Sequence, residues 1–398
     1  MHSFKGAIDI IKEHSKPMRT ETIPIEQALG RVLVENATAT ISNPAFNNSA
    51  VDGIGVSRQT LRNLQQNNTP LKIKQIILAG DIVEDITLQD DECFHIMTGA
   101  MVPSCVSSIF LIEETTAVDG SVLINAQLQD NQNIRPQGED FHVGDILVAK
   151  STRLQFNHIS LLAASGIASV SVFKKPRVAI FTSGKETVDV GLNLPAGQIY
   201  NSNIFTMRAF LEGLGCEVIT LPNVADSVSE LQTNIAAARS QQADIIISSG
   251  AVSMGVEDII KHYLLAHTTV LYNGLKIRPG KPNMLALLPN NMMYFALPGN
   301  PVSTAVALYF LVQAYYNFSH NLDFVSKSAL LDDTYSKKKD FTFFLRGKCY
   351  VENGKLRVRV LEKQGSHILS SLAEANCFVK VKDNYLEKNS LCEIYEIN

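Results

Sequence analysis

RVAIFTSG at residues 177–184 is an apolar run that ends in a Thr-Ser-Gly turn, and the pattern returns as ADIIISSG at 243–250 and MMYFALPG at 292–299. These runs do not alternate apolar with polar residues, and strands buried on both faces read this way. Between the first two lie NSNIFTMRAFLEGLG (201–215), a helical pattern stopped by glycine, and CEVITLPNVAD (216–226), a further strand and loop. SVSELQTNIAAARSQQ (227–242) supplies a second helix, and PVSTAVALYFLVQAYYNF (301–318) an apolar helix after the last strand. Alternating apolar strands and helices predict a parallel, doubly wound α/β domain over residues 174–322, covered on both faces.

Away from this centre the patterning changes. FTFFLRGKCYVENGKLRVRVL (341–361) reads as strands with ENGK (352–355) as a hairpin turn, so residues 323–398 are expected to form a β-barrel-like domain. On the other side, KIKQIILAG (72–80), SSIFLIEE (107–114) and SVLINAQL (121–128) are short strand patterns, closely spaced and broken by Gly, Asp and Asn. They suggest a small all-β unit. FNHISLLAASGIAS (156–169) returns to a helical period ending at Gly166, and FKGAIDIIKEHS (4–15) reads as a surface helix. IEQALGR (25–31) reads as a turn of helix and VLVENATAT (32–40) as a strand.

At 398 residues the chain is too long for one typical domain, and 45% hydrophobic with 19% charged residues is a globular profile. A net charge of −4 offers no overall attraction to nucleic acid or to an anionic membrane, so any anion site must be local. The most apolar long segment, 304–318, is shorter than a membrane span needs, and the N-terminus lacks a signal peptide's apolar core. The six cysteines form no CxxC pair, which argues against a disulfide framework and a zinc site. A cytoplasmic protein without membrane or nucleic-acid partners is the expectation.

In an open parallel sheet, ligands bind beyond the carboxyl ends of the strands. The loops there contain Ser183 and Gly184, then Ser249, Gly250, Ser253 and Gly255, then Pro298, Gly299 and Asn300. Such residues ahead of a helix leave backbone N–H groups free to hold a phosphate. Each loop alone is as readily a turn that needs glycine for positive φ; three in register weigh toward a phosphate-bearing ligand. Neither a Walker sequence nor GxGxxG is present. KIRPGKP (276–282) adds the cations Lys276, Arg278 and Lys281 on a segment stiffened by two prolines. Asp52, Asp140, Glu186, Asp226 and Asp258 punctuate the same regions. Singly each is a turn or cap residue; gathered at one cleft they would suit Mg²⁺.

At these motifs the chain resembles the MoeA family of molybdopterin molybdenumtransferases, related to the E domains of gephyrin and plant Cnx1. SNPAFNNSAVDGIGV (42–56) is similar to the family's P-x-F-D-N-S-A-M-D-G-Y-A, and HIMTGA (95–100) with Pro103, Glu113 and Glu114 to its I-x-T-G-A block. IRPQGEDFHVGD (134–145), GQIYNSN (197–203), residues 248–258, PGKP, LPGNPVS and the QGSH to Ser371 ending follow in family order. The resemblance covers about residues 20 to 380.

The resemblance implies a homodimer with four domains per chain: a discontinuous linker domain (1–45 and 141–173), an inserted β-rich domain (46–140), a molybdopterin-binding, adenylyltransferase-like α/β domain (174–322) and a β domain (323–398). The implied reaction takes molybdate and adenylylated molybdopterin as substrates. With Mg²⁺ as cofactor it cleaves the phosphoanhydride, inserts molybdenum and releases AMP. The implied partners are a molybdopterin adenylyltransferase upstream and molybdoenzymes or carriers downstream. Asp52, Thr98, Asp140, Glu186, Asp226 and Asp258 carry over as catalytic candidates, with Glu186, Asp226 and Asp258 as metal ligands. Arg278, Lys281, Ser366 and Ser371 carry over as anion contacts, beside the strand-end Ser183, Gly184, Ser249, Gly250, Ser253, Gly255, Pro298, Gly299 and Asn300.

The chain departs from the family pattern at several positions. Asn47 and Asn201 stand where the family has Asp, Lys185 stands in place of an acid beside Glu186, Ile54 replaces an aromatic, and Ala251 replaces a glycine. Lost acids favour an alternative, a catalytically impaired relative that scaffolds pterin or partners. A generic nucleotide-binding α/β enzyme would explain the strand-end loops but not the SAVDG block.

Overall fold

The computed structural model describes all residues except Glu84, Asp226, 253–257, Lys339 and Asn398. Two compact units emerge: residues 1–21 with 173–398, and residues 22–172.

The first unit is built on a six-stranded sheet. Its strands are β1 (Arg177–Thr182), β2 (Glu217–Thr220), β3 (Ile245–Ser249), β4 (Thr269–Asn273), β5 (Met284–Leu287) and β6 (Met293–Leu297), in spatial order β2-β1-β3-β6-β5-β4. The helices are α1 (Ser202–Gly213), α2 (Val228–Ser240), α3 (Ile259–His267) and α4, which starts at Pro301–Ala307 and continues through a π-helical turn to Ser319. Successive strand residues pack on opposite faces. Val178 and Ile180 join Met207 and Leu211 of α1 and Val306 and Phe310 of α4 on one side. Ala179 and Phe181 join Leu231 and Ile235 of α2 and Ile260 and Leu264 of α3 on the other. Burial on both faces is why these strands read as unbroken apolar runs. Neighbours β2, β1, β3 and β6 pair in parallel; β5 runs against them, so the β6-β5-β4 edge is paired antiparallel, a departure from the all-parallel expectation.

The helix Phe4–His14, expected on the surface, places Phe4, Ala7 and Ile11 in the α/β core. The tail closes a barrel from Lys327–Leu331, Thr342–Glu352, Lys355–Val360, Cys377–Val381 and Leu391–Glu396, each paired to the next around the ring. Its hairpin turns at Asn353 and Gly354, both at positive φ, as the ENGK reading requires. Phe310 of α4 stacks on the barrel's Phe344 with ring centroids 3.9 Å apart, joining the two cores.

The second unit carries a mixed sheet, in spatial order Val106–Leu111, Gly53–Ser57, Glu92–Ile96, Leu71–Ile77, Ser121–Ile124 and Thr115–Val118. A helix, Arg58–Gln66, packs Leu61 and Leu64 into its core, so the unit is β-rich but not all-β. A separate cluster of Ile23, Leu33, Val148, Leu154, Leu162 and Val172 gathers the flanking segments. Of the strand expected over 32–40, Ala37–Thr38 pairs with Ile146–Val148, and Val32 and Leu33 make single bridges.

Candidate functional site

Register in the sheet aligns the loops. Phe181 is level with Ser248 and Ala296, and Thr182 with Ser249 and Leu297, so β1, β3 and β6 release their loops at one edge. Ser183, Gly184, Ser249, Gly250, Pro298, Gly299 and Asn300 are thereby brought together. Gly250 sits at φ +105°, and a Cβ there would lie 2.5 Å from the Ser183 carbonyl oxygen. Only glycine allows the β1 and β3 loops to approach this closely.

Side chains lock the edge. Asn203, in the first turn of α1, donates its amide N–H groups to Ser249 Oγ (2.8 Å) and to the Gly299 carbonyl (2.7 Å). Ser249 Oγ donates to the Pro298 carbonyl at 2.8 Å, which Thr304 Oγ1 also reaches at 2.6 Å. Asn201 caps α1 through Ile204 N and donates to Thr182 Oγ1 at 2.7 Å. Thr182 Oγ1 in turn donates to Asn223 Oδ1, and Asn223 Nδ2 to the Gly184 carbonyl. Asn203, Asn201, Asn223, Thr182 and Thr304 were not singled out as site residues. Their only signal was a polar side chain at the end of an apolar run or at the first turn of a helix.

This network corrects the expected phosphate cradle. The Ser183 N–H donates to Ser249 O, Gly184 N–H to Val224 O and Gly250 N–H to Leu297 O, so these three amides are not free. Parallel neighbours extended their ladder by one residue past the strand ends and absorbed the donors. The amides of Gly299 and Asn300, where α4 begins, have no such partner among the described residues. Among the described residues, two buried polar atoms at this edge lack partners, Ser183 Oγ and Asn203 Oδ1.

The acidic candidates are distributed. Glu186 is exposed, and its carboxylate folds back over Gly184, 2.4 Å from where a Cβ would stand. Asp258 is buried at the start of α3. Asp226, Ser253 and Gly255 lie outside the described residues. Among the described residues, no group of three His, Cys, Asp or Glu side chains is gathered to hold a metal. Arg278 and Lys281 are exposed, and the Arg278 guanidinium lies 5.5 Å from the Phe343 ring centroid. The Ser366 carbonyl accepts the N–H of Val302, which seats its loop on the first turn of α4. Ser371 is buried, and its hydroxyl is committed, accepting from Arg346 Nε (3.2 Å) and donating to Ile368 O (2.7 Å). It lines an open cleft with Arg359, Lys363, Ser370 and Glu374. Arg346, fully buried, also holds the Lys363 and Gly365 carbonyls, and burial pushes its guanidinium down to about 10.

In the other unit, residues 43–52 are held between 97–102 and 133–141 by the pairs Ser49 N to Ala100 O, Gly99 N to Ser49 O and Asn43 N to Phe141 O. Asp52 Oδ1 accepts from the Thr98 backbone N–H (2.6 Å) and from Thr98 Oγ1 (2.7 Å). The backbone bond, then the hydroxyl bond, hold its carboxyl below the usual carboxylate range. Asp140 Oδ2 accepts from Asn43 Nδ2 at 3.0 Å. Asn47 Oδ1 accepts the Gln137 N–H at 2.8 Å, a role an aspartate oxygen would fill equally.

An open, doubly wound sheet with glycine-bearing loops at its carboxyl edge, coupled to a closed barrel, defines an α/β ligand-binding enzyme without a nucleotide fingerprint. Residues 2–166 match the MoeA N-terminal region (domain I and II), 179–317 a probable molybdopterin binding domain, and 328–397 the MoeA C-terminal region (domain IV). The molybdopterin molybdenumtransferase of Haemophilus influenzae is 35% identical, covering 91% of this chain and 90% of that protein. That of Staphylococcus aureus strain COL is 30% identical over 94% of this chain and 90% of its own length. The molybdopterin biosynthesis protein structure from Pyrococcus horikosii superposes with a TM-score of 0.83 at 27% identity, covering 99% of this chain and 98% of that one. The chain belongs to the MoeA family of molybdopterin molybdenumtransferases, transferases of molybdenum cofactor biosynthesis. No helix among the described residues is long and apolar enough to cross a membrane.

Proposed function

We propose that the chain inserts molybdenum from molybdate into adenylylated molybdopterin, with cleavage of the phosphoanhydride and release of AMP. The observation that carries this reading is the convergence of the Ser183-Gly184, Ser249-Gly250 and Pro298-Gly299-Asn300 loops at one sheet edge. They lie in the region that matches the molybdopterin-binding domain. The loops hold the substrate, while Arg278, Lys281 and the Gly299 and Asn300 amides neutralise its anionic part. Cleaving such an anhydride requires mainly positioning and charge stabilisation, which these groups supply.

Mg²⁺ fits the donor chemistry, because it is typically held by one or two carboxylates with substrate phosphates completing the shell. The exposed carboxylate of Glu186 at the loop mouth meets that requirement, with Asp258 and Asp226 as the further candidates. When bound, the ion would neutralise charge on the phosphoanhydride oxygens. Asp52, hydrogen-bonded by Thr98, and Asp140 are the further catalytic candidates. In this reading the chain works as a homodimer, receiving substrate from a molybdopterin adenylyltransferase and delivering product to molybdoenzymes or carriers.

The test is a single-turnover assay of the purified full chain with adenylylated molybdopterin, molybdate and Mg²⁺, beside Asp52→Ala. Molybdate-dependent AMP release that the variant loses is the expected result. Tight substrate binding without AMP release would overturn the catalytic reading in favour of a scaffold, the alternative that Lys185 beside Glu186 favours.

A further inference from the structure

At the strand-end edge the Asn203 amide is held by two partners. Both acceptors of its amide nitrogen are identified: the Gly299 carbonyl can only accept, and Ser249 Oγ spends its own proton on the Pro298 carbonyl. The orientation of the amide is therefore settled by its partners. Its Oδ1 must point away from them, and this oxygen is buried without a donor. Ser183 Oγ, on a side chain only 7% exposed, is likewise buried without a partner. A buried acceptor without a donor is costly and calls for an explanation. The neighbouring amides of Ser183, Gly184 and Gly250 supply none, because their N–H groups are already engaged.

A phosphate or an oxyanion such as molybdate cannot satisfy Asn203. At neutral pH such groups present oxygens, and an amide oxygen facing them is repelled. What satisfies an unpartnered acceptor and an unpartnered hydroxyl at one sheet edge is a ligand that carries an N–H donor and a second hydrogen-bonding atom. The amino-pyrimidinone edge of a pterin carries this pair. We propose that Asn203 is a specificity-determining residue: its Oδ1 accepts from the amino group of the pterin ring, and Ser183 Oγ bonds the neighbouring ring atom. This rests on the reading that the strand-end loops hold adenylylated molybdopterin, and assigns them the heterocycle while the basic segment takes the phosphates.

The test compares pterin with lumazine, in which a carbonyl replaces that amino group, by calorimetry on the full chain. Wild type is expected to prefer pterin by at least about tenfold, since a site built to bond an N–H rejects the analogue lacking it. Asn203→Ala should bring the ratio near one. Ser249→Ala loosens the same staple but leaves Oδ1, so it should lower affinity for both ligands and keep the ratio. Equal binding of the two by wild type, or no detectable binding of pterin, overturns the proposal. Loss of preference in Ser249→Ala also overturns it, by reducing Asn203 to a structural staple, as does an Asn203 effect on AMP binding that spares pterin. Any of these can occur while wild type still releases AMP from adenylylated molybdopterin, so failure here is distinct from failure of the function proposed above.

Discussion

Replacing Gly250 by alanine isolates the close approach of the β1 and β3 loops at the strand ends. At φ +105° an L side chain is strained, and its Cβ would stand 2.5 Å from the Ser183 carbonyl oxygen and 2.7 Å from Ser183 Oγ. The carbonyl is backbone and anchored from both sides, as Ser183 N–H bonds Ser249 O and Gly184 N–H bonds Val224 O, so it cannot turn aside cheaply. Backbone strain of about 1–3 kcal/mol plus the displaced loop gives a cost of roughly 2–5 kcal/mol. For a unit of this size that lowers the Tm by roughly 5–15 °C. Gly299 is the internal control. Its Cβ would meet nothing nearer than the Gly250 Cα at 3.6 Å, an ordinary contact. Gly299→Ala should stay within about 1 kcal/mol of wild type, helped by the lower entropy of the unfolded chain. Thermal unfolding followed by circular dichroism reads both variants. Gly250→Ala unfolding at the wild-type temperature, or both variants falling together, would refute the reasoning.

Thr98→Val removes the hydroxyl bond to Asp52 but keeps the backbone bond, so the Asp52 titration midpoint should move up toward the ordinary 3.8. The sign follows from linkage. A depressed carboxyl pKa contributes stability above its unfolded value and loses it as pH falls through the folded one, so the variant loses that contribution at a higher pH. Carbon-detected NMR of the carboxyl resonance reads the midpoint, and an unmoved value would remove Thr98's hydroxyl from the account. Arg346→Lys keeps the charge but cannot span Ser371 Oγ and the Lys363 and Gly365 carbonyls at once. It should cost roughly 2–4 kcal/mol in urea unfolding, and a change under about 0.5 kcal/mol would show that the fork is not holding those loops.

The α/β domain was legible because burial on both faces keeps β1, β3 and β6 mostly apolar up to the Thr and Ser at the carboxyl ends of β1 and β3, and glycine marks where α1 stops, with Gly215 at φ +88°. The antiparallel edge was not, since β5 is apolar like its parallel neighbours and direction leaves no trace in composition. The helix Arg58–Gln66 buries only Thr60, Leu61 and Leu64, so apolar periodicity could not find it. Its one local signal was Ser57, whose hydroxyl accepts from Thr60 N. At the site, the loops could be read as loops, but their hydrogen-bond polarity could not. Ser249 and Ser183 look alike in sequence, yet one hydroxyl is bound to Pro298 O and Asn203 while the other is unpartnered. Arg346 stands in the sequence as a lone cation in the strand FTFFLRG, and nothing around it there signals its burial.

That difference in polarity bears on how one ligand is oriented. If every strand-end loop had kept free amides, the edge would favour phosphate throughout and leave the heterocycle without a defined seat. Instead, among the described residues, the Ser183, Gly184 and Gly250 amides are spent on neighbouring carbonyls, leaving an acceptor and a hydroxyl, while the amides of Gly299 and Asn300 keep no partner and Arg278 and Lys281 are exposed. An elongated substrate with N–H groups at one end and phosphates at the other fits such an edge in one direction only, because reversing it would set phosphate oxygens against the Asn203 oxygen. A desolvated like-with-like contact of that kind is more strongly disfavoured than the matched contact is favoured. The asparagine that staples β3 to the α4 turn would then also set the end of the substrate from which the anhydride is presented, by exclusion as much as by attraction.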